Sequence, residues 1–480
     1  MTKSALIKLS SYGLSLSLLF SIAACAPFGQ QINLENPVEA SQLQLNNGKT
    51  AEIKANWWQQ LDQPVLNQLL KQGLINAPDL RIAEARLTQA AAQWRLTQSA
   101  AGAQLNLRAN GMGMYLNPKP DTSSLNRQAN HVLGVESADI ALSYNFDFWG
   151  RQRSLIQAAL GQQQAAQYQR QQAELLLIQN IVAQYTQWQL LTEQTVIIDK
   201  RIKIHERLQT LLNERIRAGL QAESDIYAQT QSLLSLQSTQ RQTWAEIEKV
   251  RNSLAMLTGQ SPLALTKLQP QPLNNVPTLE LDQLQADILA IRPDIAVQKA
   301  LLESKYFGIK AAKAEFYPNI RIEALAGLSH LNIFDLMHSS SRMLQLLPAV
   351  SLPIFTSGRL QANLSARQAE YNEQVAQYDK TVMTALQQAA DAINAYQQSQ
   401  AGLLLQKQAW QIAQKNAQAS SRRQQAGLDN ALMALQREDM ALTAKNDYLK
   451  IAAWHQQSWN NVHTALGGGI QIKSSNSLNN

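Results

Sequence analysis

"ADIALSYNFDFWGRQRSLIQAA", residues 138–159, changes its period halfway through. Ile140, Leu142, Tyr144, Phe146 and Phe148 alternate with Ala141, Ser143, Asn145 and Asp147, the two-residue rhythm of a strand with one apolar face. After Trp149-Gly150-Arg151 the alternation stops. Apolar positions then recur at threes and fours, through Leu155, Ala158, Ala165, Leu175, Ile178, Val182, Tyr185 and Trp188. The spacing predicts a helix of about 65 residues, close to 100 Å long at ~1.5 Å per residue. Its stripe is dilute and rich in Ala and Gln. That suits helices packed side by side with one face wet, either around a water channel or in a solvent-exposed coiled coil.

The same change of period occurs a second time. Gly150-Arg151 returns as Gly358-Arg359, 208 residues later. "RIRAGLQAESDIYAQTQSL" (215–233) returns as "RRQQAGLDNALMALQREDM" (422–440), with Gly219 and Gly427 on the same offset. Gly259 and Gly467 keep it too, whereas "APDLRIAEARL" (77–87) and "RPDIAVQKALL" (292–302) lie 215 apart, so about seven residues are gained or lost between. Three landmarks on one offset identify an internal duplication. Each half reads as a helix opening after Pro-Asp, two strands, Gly-Arg, a long helix, a glycine turn and a returning helix of about 35 residues. The strands are expected at 104–116, 138–148, 319–330 and 344–355, and "NWWQQLDQPVLNQLL" (56–70) as a short amphipathic helix.

Bulk composition narrows the class. The net charge is +7 with only 16% charged residues, and the basic ones are scattered, which excludes the basic patch of a nucleic-acid binder. About sixty glutamines supply helix-forming polarity without charge. Lys3 and Lys8, the apolar run "LSSYGLSLSLLF" and "IAAC" form an export signal ending at the single cysteine, Cys25. Beyond the signal no run of 18 or more apolar residues occurs, so any membrane crossing falls to strands. Each strand is about 10–12 residues, the length a tilted strand needs to cross a bilayer. A water-soluble sheet with one wet face has the same alternation. The export signal and the small number of strands favour the membrane. Four strands cannot close a barrel, since the smallest have about eight, so several chains must share one.

The Ile22-Ala23-Ala24-Cys25 run resembles the bacterial lipobox, and Ala26 in place of an acidic residue points to the outer membrane. With it, "FDFWGRQRS", "PIFTSGRLQANL", "IRPDI", "AEFYPNI" and the paired "AGL" turns make the chain resemble the TolC-like outer membrane factors of Gram-negative efflux systems. The lipidated NodT-type branch fits best, and within it members serving aromatic-compound or fusaric-acid-type exporters. The resemblance runs from Cys25 to about Gly469. It implies a mainly helical fold with membrane β-structure: each duplicated chain gives four strands to a trimer's twelve-stranded barrel, continued by a periplasmic helical barrel. It also implies a passive, lipid-anchored exit duct in the outer membrane that extends into the periplasm. The partners it implies are a periplasmic adaptor and an inner membrane pump of the major facilitator, resistance-nodulation-division or related type. No cofactor is implied beyond diacylglycerol and an N-acyl chain on Cys25.

On this resemblance Gly150, Arg151, Gly358 and Arg359 mark the corners where chain leaves lipid, and Gly219 and Gly427 mark the periplasmic hairpin tips. Asp225 matches the acid that holds relatives closed, with Arg422 and Arg423 as its candidate partners. Gln424 stands where relatives carry a gate tyrosine, Asp429 where they carry an arginine, and Met433 and Gln436 where they carry acids. The expected organisation is a signal peptide (1–24), an anchored segment with the short helix (25–75), a first repeat (76–262), a linker (263–290), a second repeat (291–469) and a tail (470–480). The six histidines show no metal-ligand spacing, and no nucleophile elbow or phosphate loop occurs, so the chain is not read as an enzyme. A duct for type I protein secretion and a poreless structural lipoprotein are the alternatives.

Overall fold

The computed structural model describes residues 32–39, 41–43, 54–116, 131–279, 291–330 and 336–469. Cys25, the signal peptide, the tail and the second part of the linker lie outside them. In chain order the elements are a 3-10 turn (Trp57–Leu61), α1 (Pro64–Asn76), α2 (Pro78–Ser99), β1 (Gln104–Leu116) and β2 (His131–Phe146). Then come α3 (Arg151–Arg217), α4 (Ser224–Leu257), α5 (Pro293–Ala314), β3 (Asn319–His330), β4 (Arg342–Ser351), α6 (Arg359–Gln425) and α7 (Ala431–Ala465). The duplication holds to the residue. Both ends of α2 and α5 lie 215 apart, as do the starts of β1 and β3, while both ends of α3 and α6 lie 208 apart. The seven extra residues of the first repeat therefore fall between the start of β1 and the start of α3.

The chain divides into two compact units, each made of interleaved segments. One holds residues 88–164 and 299–377 with the chain up to Asn36, and contains all four strands. They form one antiparallel sheet in the order β1-β2-β3-β4. β2 begins earlier than the alternation suggested, at His131, and stops at Phe146 because Asp147 turns away to cap the next helix. The Asp147 carboxylate accepts the backbone N–H groups of Gln152 and Arg153, at 3.0 and 2.8 Å. β4 ends at Ser351 rather than 355: Pro353 has no N–H to offer a ladder.

The other unit holds residues 37–87, 165–298 and 378–480. Its core gathers Trp57, Leu66, Leu69 and Leu70 against Ile181, Val182, Tyr185, Leu254, Trp459 and Val462. The stretch expected as one helix at 56–70 is instead two elements. Asp62 adopts a left-handed conformation (φ 50°), and Pro64, which fits only a first helical position, starts α1 afresh. After a 3-10 turn (Pro262–Leu265) the described part of the linker is irregular but pinned. The Gln271 N–H donates to the Tyr185 hydroxyl (3.1 Å), Gln189 donates to the Gln271 and Pro272 carbonyls, and the Leu279 N–H donates to the Tyr396 hydroxyl (3.0 Å). Burial pushes the Tyr185 hydroxyl pKa up, so it stays a neutral donor, here to Gln63 Oε1 at 3.2 Å.

Candidate functional site

Register decides what the sheet can do, because residues opposite each other share a face. On one face Leu105 pairs with Leu142, Leu107 with Ile140 and Ala109 with Ala138. The same face continues through Tyr144 opposite Ile322 and Phe146 opposite Ile320, then Ala324 opposite Leu346 and Ile320 opposite Val350. From Leu105 to Val350 these positions carry no charge. Many of these side chains are exposed in the single chain, Leu107 at 79%, and Leu344, opposite Ala326 on the same face, is 83% exposed. The opposite face carries Gln104, Asn106, Arg108, Asn110, Asp139, Ser143, Asn145, Arg321 and Glu323, interspersed with small and a few apolar residues. Arg108 Nη1 donates to Glu323 Oε1 at 2.9 Å across it. One face suits lipid and the other suits a water-filled lumen. A soluble sheet would cover the apolar face with helices, and an exposed apolar surface of this extent is a membrane or partner surface.

The strand-to-helix corner is an aromatic shelf. Tyr144 meets Phe146 edge-on at 5.0 Å, Phe146 stacks on Phe148, and Trp149 stacks on Tyr317 at 4.8 Å while donating Nε1–H to the Pro318 carbonyl. Aromatics with one polar handle belong at the edge of a bilayer. Gly150 (φ +72°) and Gly358 (φ +81°) take the left-handed backbone that starts α3 and α6. Arg151, half exposed, pairs with Glu315 at 3.2 Å, and Arg359 opens α6 with its N–H on the Thr356 carbonyl.

At the far ends of the long helices the chain reverses through two matching caps. The Leu220 N–H reaches back to the Arg215 carbonyl around Gly219 (φ +69°), and the Leu428 N–H to the Arg423 carbonyl around Gly427 (φ +72°). Each satisfies carbonyls that a helix end leaves bare. Asp225 lies in the first turn of α4 and accepts from the Gln221 side chain. Arg423 lies 3.9 Å from Asp429, which also accepts from Ser420 Oγ at 3.0 Å, and Arg422 Nε faces the Gln418 carbonyl. Among the described residues the structure thus brings Arg423 to Asp429, and places neither arginine on Asp225.

Two ion-pair clusters join residues that the sequence did not single out as candidate site residues. Arg201 of α3 clamps Asp439 of α7 with both carboxylate oxygens, at 2.7 and 3.0 Å. His205 Nε2 lies 3.4 Å from the same carboxylate, and Gln229 of α4 reaches the His205 Nδ1 and carbonyl. The partners are 238 residues apart. In the second cluster, Arg292 of "IRPDI" is 6% exposed and spends its donors on Asp294, the Gln388 side chain and the Ala465 carbonyl at the end of α7. Among the described residues no group of His, Cys, Asp and Glu is placed to hold a metal, and no helix is long and apolar enough to cross a membrane.

The chain matches the family model described as outer membrane efflux protein over residues 69–260 and 284–468. The two matched stretches start 215 and end 208 residues apart, the offsets of the duplication. Multidrug resistance outer membrane protein MdtP of Escherichia coli is 26% identical over 451 residues, 87% of each chain. Toluene efflux pump outer membrane protein TtgC of Pseudomonas putida is 26% identical over 463 residues, 94% of each. Among solved structures, the outer membrane protein VceC of Vibrio cholerae gives a TM-score of 0.75 at 26% identity, covering 86% of this chain and 99% of that one. The CmeC outer membrane channel of Campylobacter jejuni gives 0.79 at 21% identity, covering 93% and 95%. With a duplicated helix-strand-strand-hairpin unit, a sheet that is apolar on one face and polar on the other, and a family match over both repeats, this chain belongs to the outer membrane efflux proteins.

Proposed function

We propose that this chain is the outer membrane exit duct of an efflux system, a passive channel that three copies build together. The observation that carries the reading is the sheet. An apolar face of this extent wants lipid, and lipid does not tolerate the open edges of β1 and β4. Sharing the sheet among copies removes the edges, and three copies make a twelve-stranded barrel with the Arg108 and Glu323 face turned to water. The names of MdtP and TtgC speak of multidrug resistance and toluene efflux, and drugs or small organic compounds are the proposed cargo here. A duct has no energy source of its own, so a periplasmic adaptor and an inner membrane pump are the proposed partners. Asp225, Arg422, Arg423 and Asp429, at the hairpin tips, are the proposed gate region.

Lipidation at Cys25 belongs to the same proposal, and the start of the described chain supports it. The backbone N–H groups of Ile32 and Glu35 donate to the side chains of Gln368 and Asn372, pinning this extended segment along α6. Gln368 lies nine residues into α6, about 14 Å from its membrane-side start. The seven residue steps from Cys25 to Ile32 span up to about 24 Å, enough for an acylated cysteine to regain the bilayer. The direct experiment reconstitutes purified protein in planar bilayers. A trimer that conducts ions is the expected result, and deletion of the gene sensitises cells to organic compounds. A monomer without conductance overturns the proposal.

A further inference from the structure

The duplication specifies how the two open edges of the sheet meet. We propose that β4 of one copy pairs antiparallel with β1 of the next in a single register, in which paired residue numbers add to 459 and Val350 stands opposite the next copy's Ala109. This deepens the duct reading and rests on it. The β2–β3 ladder is the one place where the second strand of one repeat meets the first strand of the next. Its paired numbers add to 466, as in Ile140 with Ala326 and Phe146 with Ile320. Moving β2 forward by 208 residues lands on β4, and moving β3 back by 215 lands on β1. The same ladder transferred to those two strands therefore adds to 459.

The offsets come from helix ends and know nothing of strand faces, yet the register they give is consistent with both faces. Val350 meets Ala109 on the apolar side, and Ala349 meets Asn110 on the polar side. A slip of one residue in either direction would set Val350 against Arg108 or Asn110 and mix lipid with lumen.

The helices carry a second, independent sign of the same neighbour. In α5, Ala300 and Ser304 are buried, whereas its repeat counterpart α2 has no buried residue over 22 positions. α5 lies against α3 of the preceding repeat: Ser304 Oγ donates to the Ala158 carbonyl at 2.7 Å, and a Cβ on Gly161 would come within 2.9 Å of the Ala300 carbonyl. The positions matching Ala158 and Gly161 on α6 are Ala366 and Ala369, both exposed. A second copy's α2 is the helix that completes them.

Cysteine pairs read the register directly. Cα atoms directly opposite lie about 4.5–5.5 Å apart, within disulfide range, whereas diagonal neighbours are at about 7–8 Å. In purified trimer, Val350→Cys with Ala109→Cys is expected to oxidise into a covalent trimer about tenfold faster than Val350→Cys with Leu107→Cys or Gly111→Cys. Ala349→Cys with Asn110→Cys reports the same register from the other face, in case the first pair disturbs assembly. Fastest cross-linking at a slipped pair, or none at either pair in a trimer that forms, overturns the register alone. Protein that is monomeric before oxidation overturns the duct reading with it.

Discussion

A guanidinium in a protein interior needs its donors met, and Arg292 meets them with three different elements. It binds the first turn of its own helix, α6 and the bare carbonyl end of α7. Arg292→Ala leaves Asp294 without its cation and that carbonyl without its donor and is expected to cost about 3 kcal/mol, with Arg292→Lys losing less; denaturant midpoints in detergent check both. His463 is a different kind of residue: buried between Trp57 and Trp459, it has its Nδ1 at 2.8 Å from the Trp459 carbonyl, a geometry for donation. Burial holds its pKa at about 4, well below the ordinary 6.5. The unfolded chain therefore takes up a proton that the folded chain refuses between pH 6.5 and about 4. Stability is full above that window and falls through it by up to ~3 kcal/mol. His463→Gln should flatten the loss, read as the difference in melting temperature between about pH 7 and about pH 5. His455, lowered by burial too, leaves a residual slope.

At the scale of elements, the hairpin ends are held by local caps, and the two hairpins are tied to each other higher up by Arg201 and Asp439. Cutting that tie leaves a mostly buried guanidinium short of a partner. Asp439→Asn is expected to cost about 1–3 kcal/mol and to raise protease sensitivity of the α3 and α7 ends before global unfolding. Asp225→Ala loosens only the start of α4; if the tip is the gate, single-channel conductance rises, and unchanged conductance removes Asp225 from it. Elements were also the scale at which the sequence was most legible. Gly150, Gly219, Gly358 and Gly427 punctuate it because each needs a backbone angle that other residues resist, so α3 and α6 could be bounded by eye. The start of β2 was not legible, since Gly134 and Glu136 interrupt the alternation ahead of Ala138. Nor was the break in 56–70, where the apolar spacing of Trp57, Leu61, Val65 and Leu69 is helical but Pro64 forbids continuity. The Arg201–Asp439 clamp and the contacts of Arg292 with Gln388 and Ala465 were invisible, because groups 96 to 238 residues apart become partners only through packing angles that no periodicity encodes.

For the whole molecule the decisive quantity is the solvent that each sheet face expects. Ile140→Lys places a charge on the apolar face and should cost about 2–4 kcal/mol and abolish outer membrane assembly, while Ser143→Lys, close by on the lumen side, should assemble normally. Heat-modifiable mobility on gels separates the two outcomes. Equal tolerance of both would mean that neither face meets lipid.

The chemical difference between the repeats at the strand-to-helix corner has a consequence for anything that docks there on the finished ring. Three duplicated chains present six similar seats, but in two chemical kinds, since Arg151 has its Glu315 while Arg359 has Ala100 at the matching place. A visitor that reads what the seats share can occupy all six. One that reads what distinguishes them stops at three, so its stoichiometry is already written in the mismatch between two halves of a single chain.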